Sequence, residues 1–295
     1  MIDRFTPIHD PNDTRIEPYR NQKDAWLKAA HNPNAPDQPT EHTSKDPLFI
    51  TEGSLVLEHH INSPYPLHSI LIDESKAETH ADLLARIPSS APIYTAPRPI
   101  LDRITGYPIH RGLLAAGRRI EHPPLDDLLQ SARALVLLED LSNHDNLGSV
   151  FRSTAALCGS DVPLVLSPRC CDPLYRKSLR VSMGHALTIP FHHLSDQSDW
   201  LPSLKKIQAA GFRILAMTPS NAARDINEYL KNSPSDQKIA ILLGAEGPGL
   251  TPQAMNAADE QIRIPLVSSA DSLNISVAAA VALHRLVQPM DSPII

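Results

Sequence analysis

From residue 131 onward, short apolar runs alternate with longer stretches of helical periodicity, and this pattern restricts the fold more than any other feature of the chain. ALVLLED (134–140), VPLVLS (162–167), FRILAM (212–217), KIAILLG (238–244) and QIRIP (261–265) read as strands, with ALTIPF (186–191) a shorter one. Between them lie helical stretches: one from Asn146, one over DPLYRKSLRVSMGH (172–185), one over WLPSLKKIQAAG (200–211), and a last one from Asn274 to about Val287. Strands without polar alternation must be covered on both faces. Strand–helix alternation implies a parallel sheet with right-handed crossovers. Aromatic residues are only 4% of the chain, so Val, Leu, Ile and Ala must fill the core. In such sheets ligands bind beyond the carboxyl ends of the strands.

The chain of 295 residues is long enough for two domains. Residues 1–30 are polar, with one short helix expected around 21–30. Residues 31–47 are rich in Pro, Asn and Asp and, with the residues before them, read as an N-terminal arm and linker, 1–47. SLVLEHHI (helix), HSILID (strand), KAETHADLLARI (helix), PIYTA (strand) and the end near GLLAAG form a small α/β domain over 48–118, and the larger domain covers 131–290.

The net charge of -6 argues against a protein that coats long nucleic acids. Two local basic clusters remain. One is Arg98, Arg103, Arg111, Arg118 and Arg119 against Asp102; the other is Arg169, Arg176, Lys177 and Arg180 against Asp172. Each reads equally as an anion-binding surface or a solvated face. Cys158, Cys170 and Cys171 contain no CxxC and read as reduced packing residues. His59-His60 and His192-His193 lack helical metal spacing, so no metal is expected. MIDRFTPIHD has no apolar run, and no stretch approaches the roughly 20 apolar residues of a membrane span. A cytoplasmic protein without a membrane partner is expected.

Three loops after predicted strands hold chemistry-bearing residues. In Asn146-Leu-Gly-Ser-Val-Phe-Arg152, Asn146 stands where a helix N-cap belongs, and Arg152 lies one turn above Gly148. An amide, a cation and free N–H groups there suit phosphate or ribose oxygens. A capped helix with a surface arginine is the alternative. Gly244-Ala-Glu246-Gly247-Pro-Gly249 follows a strand and matches no nucleotide-binding fingerprint. Its three glycines suggest unusual backbone or close approach; a tight turn with an exposed Glu is the other reading. Ile264-Pro265 leads through a polar loop to Ser272-Leu273-Asn274-Ile275-Ser276, where Ser272 or Asn274 can cap the final helix.

Taken together and in order, these segments resemble the three motifs of the SpoU (TrmH-like) RNA ribose 2′-O-methyltransferases of the SPOUT superfamily. Asn146, Gly148 and Arg152 fit the first, Gly244, Glu246, Gly247 and Gly249 the second, and Ile264, Pro265, Ser272, Leu273, Asn274 and Ser276 the third. ITEGSLVLEHHI and HRGLLA resemble the ribosomal-protein-like substrate-binding domain that many members carry in front. One departure is Leu266–Asp271, which lacks the glycine that members often have there. The resemblance implies a trefoil knot in the C-terminal sheet, a homodimer, S-adenosyl-L-methionine as cofactor, and tRNA or rRNA as substrate. It implies cofactor contacts at Gly244, Ile264, Leu273 and Asn274, and a catalytic Arg152 with Asn146 and Glu246 close by. Among the basic residues, Arg111, Arg118, Arg119, Arg176 and Arg180 are the candidates for RNA contact. A guanidinium stays charged above pH about 12, so a clamp on phosphate and developing alkoxide suits Arg152 better than a base. Two other readings stay open: a non-catalytic RNA-binding protein on the same fold, and an α/β enzyme acting on a phosphorylated small molecule.

Overall fold

The computed structural model describes residues 4–20, 23–29, 47–106, 108–109, 111–234, 236–267 and 270–287. The chain forms two compact units: Met1–Glu121 with Leu174–Thr188, and His122–Pro173 with Ile189–Ile295.

The first unit is built on β1 (Phe5–Pro7), α1 (Asp24–Lys28), β2 (Leu48–Glu52), α2 (Ser54–Ile61), β3 (Leu67–Asp73), α3 (Ala81–Ala85), β4 (Ile93–Ala96), α4 (Arg98–Thr105) and β5 (Leu113–Arg118). Its sheet runs β1-β4-β3-β5-β2. The β1-β4 and β4-β3 pairs are parallel, whereas β5 runs antiparallel to both neighbours. The reading of 1–47 as an arm needs correcting at its start. β1 pairs with β4, and Ile8, Ile16, Tyr19 and Leu27 pack into one core with Leu48, Ile50 and Leu71. The Tyr19 hydroxyl bonds Ser69 Oγ at 2.8 Å and accepts from the Ala116 N–H at 3.1 Å, so burial of the ring leaves no polar atom stranded. Of the linker, residues 31–46 lie outside the described residues.

The second unit holds α5 (Leu125–Ser131), β6 (Ala134–Leu138), α6 (His144–Leu157) and β7 (Leu164–Leu166). After α7 (Arg176–Val181), which belongs to the first unit, come β8 (Phe191–His193), α8 (Trp200–Ala209), β9 (Arg213–Met217), β10 (Arg224–Asp225), α9 (Ile226–Asn232), β11 (Ile239–Leu243), α10 (Pro252–Ala257), β12 (Glu260–Arg263) and α11 (Ile275–Leu286). Its sheet is parallel in every pairing, in the order β10-β12-β9-β11-β6-β7-β8. The central strands β6 and β11 are buried along their whole length, as their unbroken aliphatic sequences require. Trp200, Leu135, Leu137, Ile214 and Leu242 share a core on one side of it, and α11 packs along α6.

Three expected elements shrink. The helix expected over 76–87 is reduced to Ala81–Ala85, after a 3-10 turn at Glu74–Lys76. The helix expected over 172–185 is confined to Arg176–Val181, because Pro173 breaks its start and the chain turns at Gly184 with φ +91°. The strand expected over 186–191 becomes a 3-10 turn at His185–Leu187 followed by β8, with Pro190, which has no N–H, between them.

Candidate active site

α6 follows β6 after a short turn. Asn143, not Asn146, caps it: the Asn143 backbone is extended, at φ -89° and ψ 115°, and its side chain accepts from the Asp145 N–H at 2.9 Å. Two asparagines three residues apart both suit a cap, and the earlier one takes it. Asn146 is thereby released to the first turn, where it is only 6% exposed.

Its amide bridges the other two loops. Asn146 Nδ2 donates to Glu246 Oε2 at 2.9 Å, and Asn146 Oδ1 accepts from Asn274 Nδ2 at 3.0 Å. Asn274 Oδ1 in turn accepts from the Ser276 N–H at 2.9 Å and so caps α11. The direction of this relay follows from Glu246. A carboxylate only accepts, so Asn146 must turn its NH2 toward Glu246 and its carbonyl toward Asn274.

The loop carrying Glu246 is shaped by its glycines. Gly247 and Gly249 have φ +90° and +73°, which L-residues rarely adopt. At Gly244 a Cβ would stand 2.2 Å from the Leu250 nitrogen, so no side chain fits there. Gly249 N–H donates to Ala245 O at 3.0 Å and closes the neck of the loop.

Beside this loop lies a cavity of about 340 Å³. The four positions expected to meet a cofactor, Gly244, Ile264, Leu273 and Asn274, all line it, as does Glu246. Met217, Thr218 and Pro219 line it too. Sequence reasoning passed over them, although FRILAM ends there and β9 lies between β11 and β12, so the rule for carboxyl ends of strands points to that loop.

Arg152 differs from expectation. It is exposed on α6, does not line the cavity, and has no hydrogen bond or ion pair among the described residues. Among the described residues, the guanidinium makes no hydrogen bond to Asn146 or Glu246. The thiols of Cys170 and Cys171 are pushed up to about 11 and about 12, chiefly by burial, which favours the neutral form. Among the described residues no group of three or more His, Cys, Asp or Glu could hold a metal ion. No described helix is long and apolar enough to cross a membrane.

Residues 133–284 match the family model of the SpoU rRNA Methylase family. The chain belongs to the SpoU family. An uncharacterized tRNA/rRNA methyltransferase of Mycobacterium bovis is 38% identical over 279 residues, which are 94% of this chain and 90% of that one. A counterpart from Mycobacterium tuberculosis matches equally, at 38% over the same length and the same shares of both chains. Among solved structures, the AdoMet-bound rRNA methyltransferase from Sinorhizobium meliloti is similar with a TM-score of 0.71 at 20% identity, covering 96% of this chain and 97% of that one. The SpoU methyltransferase AviRb from Streptomyces viridochromogenes, in complex with AdoMet, is similar with a TM-score of 0.71 at 17% identity, covering 94% and 97%. At these identities the likeness establishes a shared SpoU fold.

The basic residues of this SpoU chain sort differently from their order in sequence. Arg111, Arg118, Arg119, Arg176 and Arg180 all fall in the first unit, whereas Arg169 pairs with Asp140 in the second. The 169–180 cluster is therefore divided between the units. Arg111 and Arg180 are exposed. Arg119 Nε donates to the Leu48 carbonyl at 3.0 Å, and Arg176 approaches Asp24 at 4.0 Å. Those two hold structure as well as carrying charge.

Proposed function

We propose that the protein is a methyltransferase that moves a methyl group from S-adenosyl-L-methionine to a ribose 2′-hydroxyl of a structured tRNA or rRNA. The observation that carries this reading is the Asn274–Asn146–Glu246 relay beside the cavity lined by Gly244, Ile264 and Leu273. The cavity volume lies within the range of small-molecule sites, on the order of 300–1,000 Å³, and the wall mixes apolar side chains with accessible main chain. Gly244, Ile264, Leu273 and Asn274 would hold the donor. Bound there, its sulfonium supplies a methyl carbon already activated toward an oxygen nucleophile.

The chain's own task is then placement and charge. Oε2 of Glu246 is engaged by Asn146, which leaves Oε1 to accept from a ribose hydroxyl or a guanidinium. Arg152, exposed and without a partner among the described residues, is suited to meet a phosphate and to stabilise negative charge growing on the 2′-oxygen. A guanidinium stays charged at neutral pH and does not act as a base there, so the proton leaves to water or to Glu246. The first unit, with Arg111 and Arg180 exposed and Arg118, Arg119 and Arg176 beside them in sequence, is the part assigned to select the RNA. The reading includes the family's trefoil knot and a homodimer. Val267, Leu273 and Val277 are large, apolar and exposed around the start of α11, which supports a second copy covering them.

The test is transfer of labelled methyl from S-adenosylmethionine to total RNA of a strain lacking the protein. The labelled linkage should resist alkaline cleavage, because a blocked 2′-oxygen cannot attack its own phosphate. Label in an alkali-sensitive linkage would move the reaction to a base. A protein that binds RNA but takes up no donor would be a binder on this fold.

A further inference from the structure

Glu139, the residue after β6, is 1% exposed and has no part in the site described so far. Its main-chain N–H donates to the Leu243 carbonyl at 2.9 Å. Leu243 ends β11 and leads into the glycine loop. The Glu139 side chain reaches the opposite end of that loop: Oε2 accepts from the Thr251 N–H at 2.8 Å, and Oε1 accepts from Thr251 Oγ1 at 2.9 Å and from Trp200 Nε1 at 2.8 Å. Thr251 is the N-cap of α10 and accepts from the Ala254 N–H at 3.2 Å. One buried residue thus grips both ends of segment 244–250.

The chemistry of the grip is specific. All three donors converge on one acceptor, and a carboxylate is acceptor-only. A glutamine in its place must turn an NH2 toward a partner that also donates, leaving buried donors without acceptors. Between the two gripped ends the loop has little freedom, since Gly244 lies against the Gly249–Leu250 backbone. The tip of the same loop holds Glu246 to Asn146, and its backbone walls the cavity.

We propose that Glu139 is a positioning residue: by fixing both ends of segment 244–250 it sets the shape of the donor cavity and keeps Glu246 on Asn146. This rests on reading that cavity as the donor site. The experiment measures S-adenosylmethionine affinity by calorimetry, and amide hydrogen exchange over 244–251, in the full chain and four variants. Glu139→Gln should weaken donor binding by about tenfold or more, as expected for losing a buried hydrogen bond to a charged group, and should speed exchange at Gly249 and Thr251. Thr251→Ala, which keeps the N–H bond to Oε2, should show a smaller loss of the same kind, and Thr251→Ser should restore affinity. This pair decides the matter if Glu139→Gln does not fold. Trp200→Phe removes the Nε1 bond to Oε1 and part of a buried ring, and leaves both Thr251 bonds to the carboxylate in place. It should lower thermal stability with donor affinity within about twofold, which a merely structural Glu139 would not distinguish from Glu139→Gln. Unchanged exchange over 244–251 in Glu139→Gln overturns the proposal, and so does faster exchange with unchanged donor affinity. Failure of the parent reading looks different: the unaltered protein itself takes up no donor.

Discussion

Replacing Asn146 by Asp tests the relay with almost no change of shape. The new carboxylate still accepts from Asn274 Nδ2, so that half of the relay survives. The other half is inverted, because an acceptor now faces Glu246 Oε2 across 2.9 Å. Two unit charges at that separation repel by about 1.4 kcal/mol in a water-like medium and by about 6 kcal/mol at an effective dielectric of about 20. Asn146 is buried and Glu246 exposed, so the cost lies between these limits, about 2–4 kcal/mol. The pair relieves it by holding one proton, so one carboxyl of the pair stays protonated above the usual carboxylate range. In the unfolded chain both carboxyls titrate near about 4. Below that pH both states are protonated and the variant matches the parent; stability is lost as pH rises through the raised value and the loss is complete above it. The assay is urea unfolding followed by Trp200 fluorescence in a Trp26→Phe background, so that only the second unit is seen. At about pH 7.5 the variant should lose at least about 1 kcal/mol more, relative to its parent, than at about pH 4. Equal losses at both pH values would show that Asn146 and Glu246 are not in contact.

Arg152→Ala should unfold within about 0.5 kcal/mol of the parent, since the side chain is exposed and has no described partner. Methyl transfer should fall by about a hundredfold or more; near-normal turnover would remove Arg152 from the mechanism. Tyr19→Phe strands the Ala116 N–H and takes one of two partners from the Ser69 hydroxyl, which keeps His68 Nδ1 at 2.9 Å, and should cost about 1–3 kcal/mol in chemical denaturation. An unaffected protein would return the first residues to the role of an arm. Cys170 and Cys171 carry thiols raised to about 11 and about 12, so thiolate appears only as the pH climbs toward those values. Mass spectrometry should find the buried Cys170 unalkylated by iodoacetamide at neutral pH until the protein unfolds and the half-buried Cys171 alkylated only slowly, and rapid labelling of Cys170 in the native protein would contradict its burial.

The second unit was legible in the sequence because its strands are continuous aliphatic runs. Ala134–Leu138 and Ile239–Leu243 stand within the segments chosen for them. The meeting of Asn146, Glu246 and Asn274 was expected from motif order and is seen as bonded contact. What escaped has physical causes. Ile8, Ile16, Tyr19 and Leu27 follow no single period, so a chain that winds into a core reads as an arm. Glu139 ends an apolar run, where an acid ordinarily marks the return to solvent; nothing nearby announces Trp200 and Thr251, which come from 61 and 112 residues away. Whether Arg152 would bond Asn146 was not legible, because helical spacing fixes where a side chain starts but not where a long one ends.

The allocation of Leu174–Thr188 to the first unit has a consequence for how the protein is made. Within that unit the His185 ring lies tilted against that of His59, with ring centroids 4.4 Å apart, and Gly184 is pressed beneath His59, where a Cβ would come within 2.8 Å of the His59 Cβ. A nascent chain released only as far as residue 121 therefore lacks a piece of its own interior. The front half cannot finish folding on the ribosome until more than fifty further residues have emerged, and those residues already include β6, α6 and β7 of the other unit. Cutting the gene after residue 121 would for the same reason leave the first unit incomplete, with its missing segment carried by the other piece.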